Sequence, residues 1–149
     1  MANDAAGPAV AHLTRRYVFA ASHRMHSNRL SEEENQRIYG KCNNPYGHGH
    51  NYELEVTVTG PIDRATGMVV NLVDLDRVVT EEILERFDHA NLNVDAENFR
   101  DVVPTSENLI QAIHRLLVNR WDREAGLRGA RLAKVRLQET GANSFEFWG

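Results

Sequence analysis

Between residues 50 and 59 apolar and polar side chains alternate. Tyr52, Leu54, Val56 and Val58 share one parity; Asn51, Glu53, Glu55, Thr57 and Thr59 share the other. A period of two predicts a half-buried strand. An earlier strand over residues 15–23, rich in Tyr17, Val18 and Phe19, ends on His23. Over residues 31–40, Ser31 and Glu34 spell a capping box and Gly40 a stop, predicting a short helix or turn. The pattern changes to a 3.6-residue period at residues 74–87, where Leu75, Val78, Val79, Ile83, Leu84 and Phe87 fall on one stripe. A second helix is predicted from Thr105 or Ser106, carrying Leu109, Ile110, Ile113, Leu116 and Leu117. Residues 61–67 read as a turn followed by a short strand at 68–70. Residues 130–140 and 144–148 read as two strands joined at 141–143. The order ββααββ predicts an α+β fold, a four-stranded antiparallel sheet with two helices on one face. Residues 1–12, Ala-rich with Gly7 and Pro8, read as a flexible tail, and residues 13–149 as a single domain.

Composition narrows the partners. The chain has 149 residues, enough for one domain. Its 17 Lys and Arg against 21 Asp and Glu give a formal charge of −4, so no basic field exists to attract nucleic acid or an anionic membrane. Cys42 is the only cysteine, which forbids an intramolecular disulfide and suits a reducing compartment, the cytoplasm. Neither a positively charged leader nor a membrane-length apolar run is evident.

The run from Cys42 to His50 carries the chemistry. In an extended chain residues i and i+2 point the same way, so His48 and His50 can reach one metal ion, with Cys42 on the loop leading in. His23, at the end of the preceding strand, is the candidate third ligand. Three neutral imidazoles leave a coordination position open for water or substrate, as a catalytic zinc site requires, although imidazole also accepts iron, nickel or copper. The competing reading makes these ordinary strand-end histidines. His12, His26 and His114 read as surface residues. Lys41, Asn43, Asn44 and Pro45 place Cys42 on a polar loop, which suits a reactive thiol better than a core one. In Asp88-His89 a carboxylate can orient an imidazole for proton transfer. Glu139 ends the parity shared by Ala133, Val135 and Leu137. A carboxylate there is costly unless paired, and a ligand with adjacent N–H donors would satisfy it; the competing reading is that the strand has already reached solvent there. Helix capping and dipole effects explain Thr105, Ser106 and Glu107 without a ligand.

Taken together, Ala21-Ser22-His23-Arg24, residues 40–52, Thr66-Gly67-Met68, Asp88-His89 with Asn91-Leu92, Asp101-Val102-Val103 and Glu139-Thr140 resemble the 6-pyruvoyltetrahydropterin synthases. The resemblance covers nearly all of the chain after the tail. Five residues separate Cys42 from His48, as in these synthases; the related 6-carboxytetrahydropterin synthases typically have a shorter spacing. The resemblance implies zinc on His23, His48 and His50, Cys42 as the catalytic thiol, and Asp88 and His89 completing a proton-transfer set. It further implies Glu139 as the anchor of the pterin ring, with Thr105, Ser106 and Glu107 nearby. The implied fold is the tunnelling fold, assembled as a homohexamer of two trimers with active sites between subunits. The implied reaction converts 7,8-dihydroneopterin triphosphate to 6-pyruvoyltetrahydropterin and triphosphate, with Mg²⁺ a possible companion of the triphosphate. Arg24 and Lys41 are the nearest candidate phosphate partners. Val18, Ala20, Tyr46, Ala90 and Ser106 depart from residues common among relatives, but none is a proposed ligand or proton carrier. The alternatives are a 6-carboxytetrahydropterin synthase, a non-catalytic metal- or pterin-binding module, and a purely structural zinc site.

Overall fold

The longest ladder in the computed structural model, which describes residues 6–149, joins β1 (Val10–His23) to β2 (His48–Pro61). Its antiparallel register runs from Val10 opposite Pro61 to His23 opposite His48. Residues 10–12, predicted to lie in the tail, are thus the first rungs of β1; residues 1–5 lie outside the described residues. β4 (Arg131–Gln138) pairs antiparallel with β2, and β5 (Ser144–Trp148) with β4.

The sheet differs from the predicted four-stranded antiparallel one. It has five strands in the order β3-β1-β2-β4-β5, and β3 (Ala90–Asn91) runs parallel to β1 beside Ala21 and Ser22. Two residues are too few to leave a periodic signature in sequence. Nor does the predicted strand at 68–70 form. There the loop closes on itself, with Gly67 N–H donating to Asp63 O (2.8 Å) and Asp63 N–H to Met68 O (3.0 Å). Val70 is apolar because it is buried against the core, not because it pairs. A bulge in β4 skips Ala133: Thr57 faces Lys134 while Val58 faces Leu132. The bulge moves the core-facing parity from Ala133 to Leu132, which is buried.

Helix α1 (Glu32–Tyr39) carries the predicted capping box, both halves of which form. The long amphipathic stripe begins as α2 (Leu72–Val79), capped by the Asn71 side chain. It passes through a π-helical turn at Thr80–Leu84 and ends as α3 (Glu85–Phe87). After the single-turn α4 (Leu92–Asp95), helix α5 (Ser106–Trp121) starts at Thr105, whose side chain accepts from Asn108 N–H. The stripes of the two long helical segments meet one face of the sheet. Leu54, Val56 and Val58 from β2, Leu75, Val78 and Ile83, and Leu109, Ile113 and Leu117 are all 0% exposed. Each such aliphatic side chain contributes about 2 kcal/mol by leaving water. On the outer side Arg120 of α5 clamps Glu81 (2.8 Å) and Glu82 (2.9 Å) of the π turn. Among the described residues no helix is long and apolar enough to cross a membrane.

Candidate metal centre and its surroundings

The β1–β2 register decides where the imidazoles go. His23 pairs with His48, and Ala21 with His50, so the three rings leave the sheet on the core-facing side at one end. Their ring-nitrogen ligand atoms all lie within 4.8 Å of one another. Ring centroids are 4.7, 4.8 and 5.0 Å apart, with edge-on planes at 71 to 89°. His23 is buried; its Nδ1–H donates to Pro104 O at 2.7 Å, which leaves the Nε2 lone pair facing the centre in the neutral ring. The Nε2 atoms of His23 and His48 are 3.1 Å apart. Two metal–nitrogen bonds of about 2.0–2.1 Å at the tetrahedral angle put their nitrogens about 3.3 Å apart, so the pair already stands at ligand spacing. Burial lowers the pKa of His23 and His50, which keeps both rings neutral at neutral pH as coordination demands.

Around this trio lie buried polar atoms with no hydrogen-bond partner: His50 Nε2, the Tyr52 hydroxyl and Ser106 Oγ. A buried nitrogen without a hydrogen-bond partner, set among two other imidazoles, fits a metal-accepting site. Glu139 closes one side. Its Oε1 lies 3.5 Å from His50 Nε2 and 3.7 Å from His23 Nε2, while Oε2 accepts from Asn143 Nδ2 at 3.1 Å. The Tyr52 ring packs edge-on against His50 at 5.6 Å. Burial first, and then the Glu139 charge, push its phenol pKa upward, so it stays a neutral donor; the neighbouring Ser106 hydroxyl opposes the shift but completes no hydrogen bond with it.

The remaining predicted residues are more dispersed. Cys42 is half-buried in a 3₁₀ turn (Gly40–Asn43), held where Met25 N–H donates to Cys42 O at 2.9 Å, and its sulfur is not part of the ligand cluster. Asp88 and His89 end the long helix at the edge of β1. Ala20 N–H donates to Asp88 Oδ1 (2.9 Å), and His89 N–H to Ala20 O (2.6 Å). The first of these bonds does most to hold the Asp88 carboxyl below its ordinary pKa. This double tie drives His89 into the left-handed region, φ +59, with Nδ1 3.1 Å from Asp88 Oδ1 and a largely exposed ring. His89 shares a cavity of about 470 Å³ with His50; Cys42 does not line it. Thr105 spends its hydroxyl on the helix cap, Ser106 is buried, and Glu107 is exposed on the first turn. Of the histidines predicted at the surface, His12 is exposed. His26 instead is half-buried against Asn43 (2.9 Å), and His114 lies tilted against Phe147 at 4.9 Å with its Nε2 buried.

Residues 12–149 match the family model described as 6-pyruvoyl tetrahydropterin synthase. The chain belongs to this family. It is 49% identical over 141 residues to the 6-pyruvoyl tetrahydrobiopterin synthase of Poecilia reticulata, covering 94% of this chain and 91% of that one. It is 47% identical over 140 residues to the protein of that name from Homo sapiens, covering 93% and 92%. The solved Caenorhabditis elegans 6-pyruvoyl tetrahydropterin synthase superposes with a TM-score of 0.86 at 37% identity, over 95% of this chain and 97% of that one. In this member of the family the sequence reading missed Tyr52. Its parity with His48 and His50 was legible, but that parity also fits an ordinary core residue, and the ring is indeed fully buried. Only the structure shows the unpartnered hydroxyl beside Glu139.

Proposed function

We propose that the protein is a zinc-dependent lyase that converts 7,8-dihydroneopterin triphosphate to 6-pyruvoyltetrahydropterin and inorganic triphosphate, a step of tetrahydrobiopterin synthesis. The observation that carries this reading is the convergence of His23, His48 and His50, with a neutral, unpartnered His50 Nε2, in a chain of this family. The three imidazoles would hold zinc, which supplies Lewis acidity toward the substrate's side-chain hydroxyls and makes the neighbouring protons easier to remove.

The chain's own residues do the rest. Glu139, with its carboxylate turned toward the imidazoles, receives the adjacent N–H donors of the pterin ring and aligns the side chain with the metal centre. Tyr52 and Ser106 offer two further hydroxyls to the same ligand, and Thr105 and Glu107 border it. The Cys42 thiolate takes a carbon-bound proton, and His89, oriented by Asp88, moves protons between substrate oxygen and carbon. Loss of the C–O-bound triphosphate and tautomerisation then give the diketo side chain. The hydrogens are redistributed within the substrate, so no external redox cofactor is required. Because Cys42 stands outside the cavity that His89 shares with His50, we assign the acid–base set to two subunits of a homohexamer, His89 of one serving Cys42 of the next. The lone cysteine suits a cytoplasmic enzyme.

The test is incubation of purified protein with 7,8-dihydroneopterin triphosphate, with and without chelator, and identification of every product. A pyruvoyl pterin plus triphosphate, abolished by chelation and restored by zinc, supports the reading. Acetaldehyde release would move the chain to the 6-carboxytetrahydropterin branch, and absence of any product would leave a binding module.

A further inference from the structure

Beside the metal centre lies a larger cavity, about 820 Å³, and its charge is the reverse of the chain's. The chain is formally −4, yet Arg24, Arg29 and Arg100 all line this space, together with His26 and a single carboxylate, Asp101. Elsewhere several arginines are spent on acids: Arg15 on Asp76, Arg77 and Arg120 on Glu124, Arg136 on Glu55. Among the described residues Arg24 and Arg29 form no ion pair, and Arg100 meets only Glu97 in a pair exposed on both sides, which competes weakly with a polyanion. Arg24 is also pre-positioned. Its Nε donates to Asn43 O at 3.0 Å, and Asn93 ties its backbone from both sides, at 2.7 and 2.9 Å. This bracing leaves the two terminal nitrogens for a ligand.

The cavity wall is continuous with the backbone that carries the imidazoles. Arg24 follows His23, Gly47 precedes His48, and Pro104 accepts the His23 Nδ1–H bond; all three line the cavity. Asn91 borders both this space and the smaller cavity that holds His50 and His89. The geometry points to this cavity as the seat of the substrate's triphosphate, held by Arg24, Arg29 and Arg100. The inference rests on the reading above for the identity of the polyphosphate. Guanidinium forks suit phosphate oxygens, and three of them in one concave site suit a chain of phosphates better than a single one. Lys41, the other candidate from sequence, does not line the cavity.

The experiment titrates the full-length, zinc-loaded protein with inorganic tripolyphosphate by calorimetry, with orthophosphate as comparison. Wild type is expected to bind tripolyphosphate at one site per chain and orthophosphate far more weakly. Arg29→Ala and Arg100→Ala should each weaken tripolyphosphate by about tenfold, the loss expected for one charge-assisted contact, while Arg29→Lys recovers part of it. Zinc content and circular dichroism should not change, because both side chains are exposed. The same variants should raise KM for dihydroneopterin triphosphate more than they lower kcat. Unchanged affinity in both alanine variants overturns the inference, as does binding that disappears on removing zinc yet ignores the arginines. Should the arginines govern tripolyphosphate while no pyruvoyl pterin forms, the polyphosphate site stands and the lyase reading falls; product formation with indifferent variants gives the converse.

Discussion

His89 sits at φ +59, a backbone region that costs a residue with a Cβ about 1–3 kcal/mol and glycine almost nothing. His89→Gly is therefore expected to keep or raise folding stability, by up to about 1 kcal/mol, while turnover falls by orders of magnitude. Urea melts beside a product assay check both halves, and a destabilised variant would mean that the imidazole packs rather than reacts. Tyr52 invites the opposite comparison. Its buried hydroxyl has no protein partner, so Tyr52→Phe should stabilise the ligand-free protein by about 1–2 kcal/mol and weaken substrate binding. Histidines 23, 50 and 114 set the pH response. Burial lowers all three pKa values from the ordinary 6.5, so below that pH the unfolded chain binds protons that the folded one refuses. Stability of the chelated protein should accordingly fall as pH drops through 6.5 toward the depressed folded values, and hold steady above it; denaturant midpoints at pH 7.5 and 5.5 measure this.

At the scale of elements, the loop between the 3₁₀ turn and β2 has little slack. Gly47 has φ +72, and a Cβ built on it would meet His23 O at 3.0 Å. Gly47→Ala should cost about 1–3 kcal/mol and loosen metal binding, since the displaced strand end carries both His23 and His48; competition with a chromophoric chelator reads the second effect. The same scale shows what a one-dimensional reading can and cannot reach. Strand β2 was legible because one side of it is buried, so its parity had to repeat; the Ser31–Glu34 capping box and the start of α5 were legible because caps are local chemistry. Strand β3 was not, because two residues have no period and its pairing, Ala21 with Ala90, depends on where the long helical segment before it delivers the chain. The bulge at Ala133 reversed the parity at the start of β4, and nothing local announces a bulge. The histidine trio was readable from spacing plus one strand pairing. The cationic cavity was not, because its arginines come from three segments that only the tertiary fold brings together.

At the scale of the whole molecule, Cys42 does not line the cavity that His89 shares with His50 in the same chain. If neighbouring subunits complete each other's acid–base set, mixing inactive Cys42→Ala and His89→Ala chains during assembly should restore a measurable fraction of turnover. Mixing them after assembly should restore none until subunits exchange. A mixture as dead as its parents would return the whole set to a single chain.

The rung at which His23 faces His48 has one more consequence. Slip that pairing by a single position and one of its two strands turns its rings to the opposite side, dissolving the nest of nitrogens. Cobalt(II), whose visible absorption reports a nitrogen-rich tetrahedral environment, could then serve as a clock for strand alignment in refolding, since colour would develop only in molecules whose β1 and β2 have found their proper match.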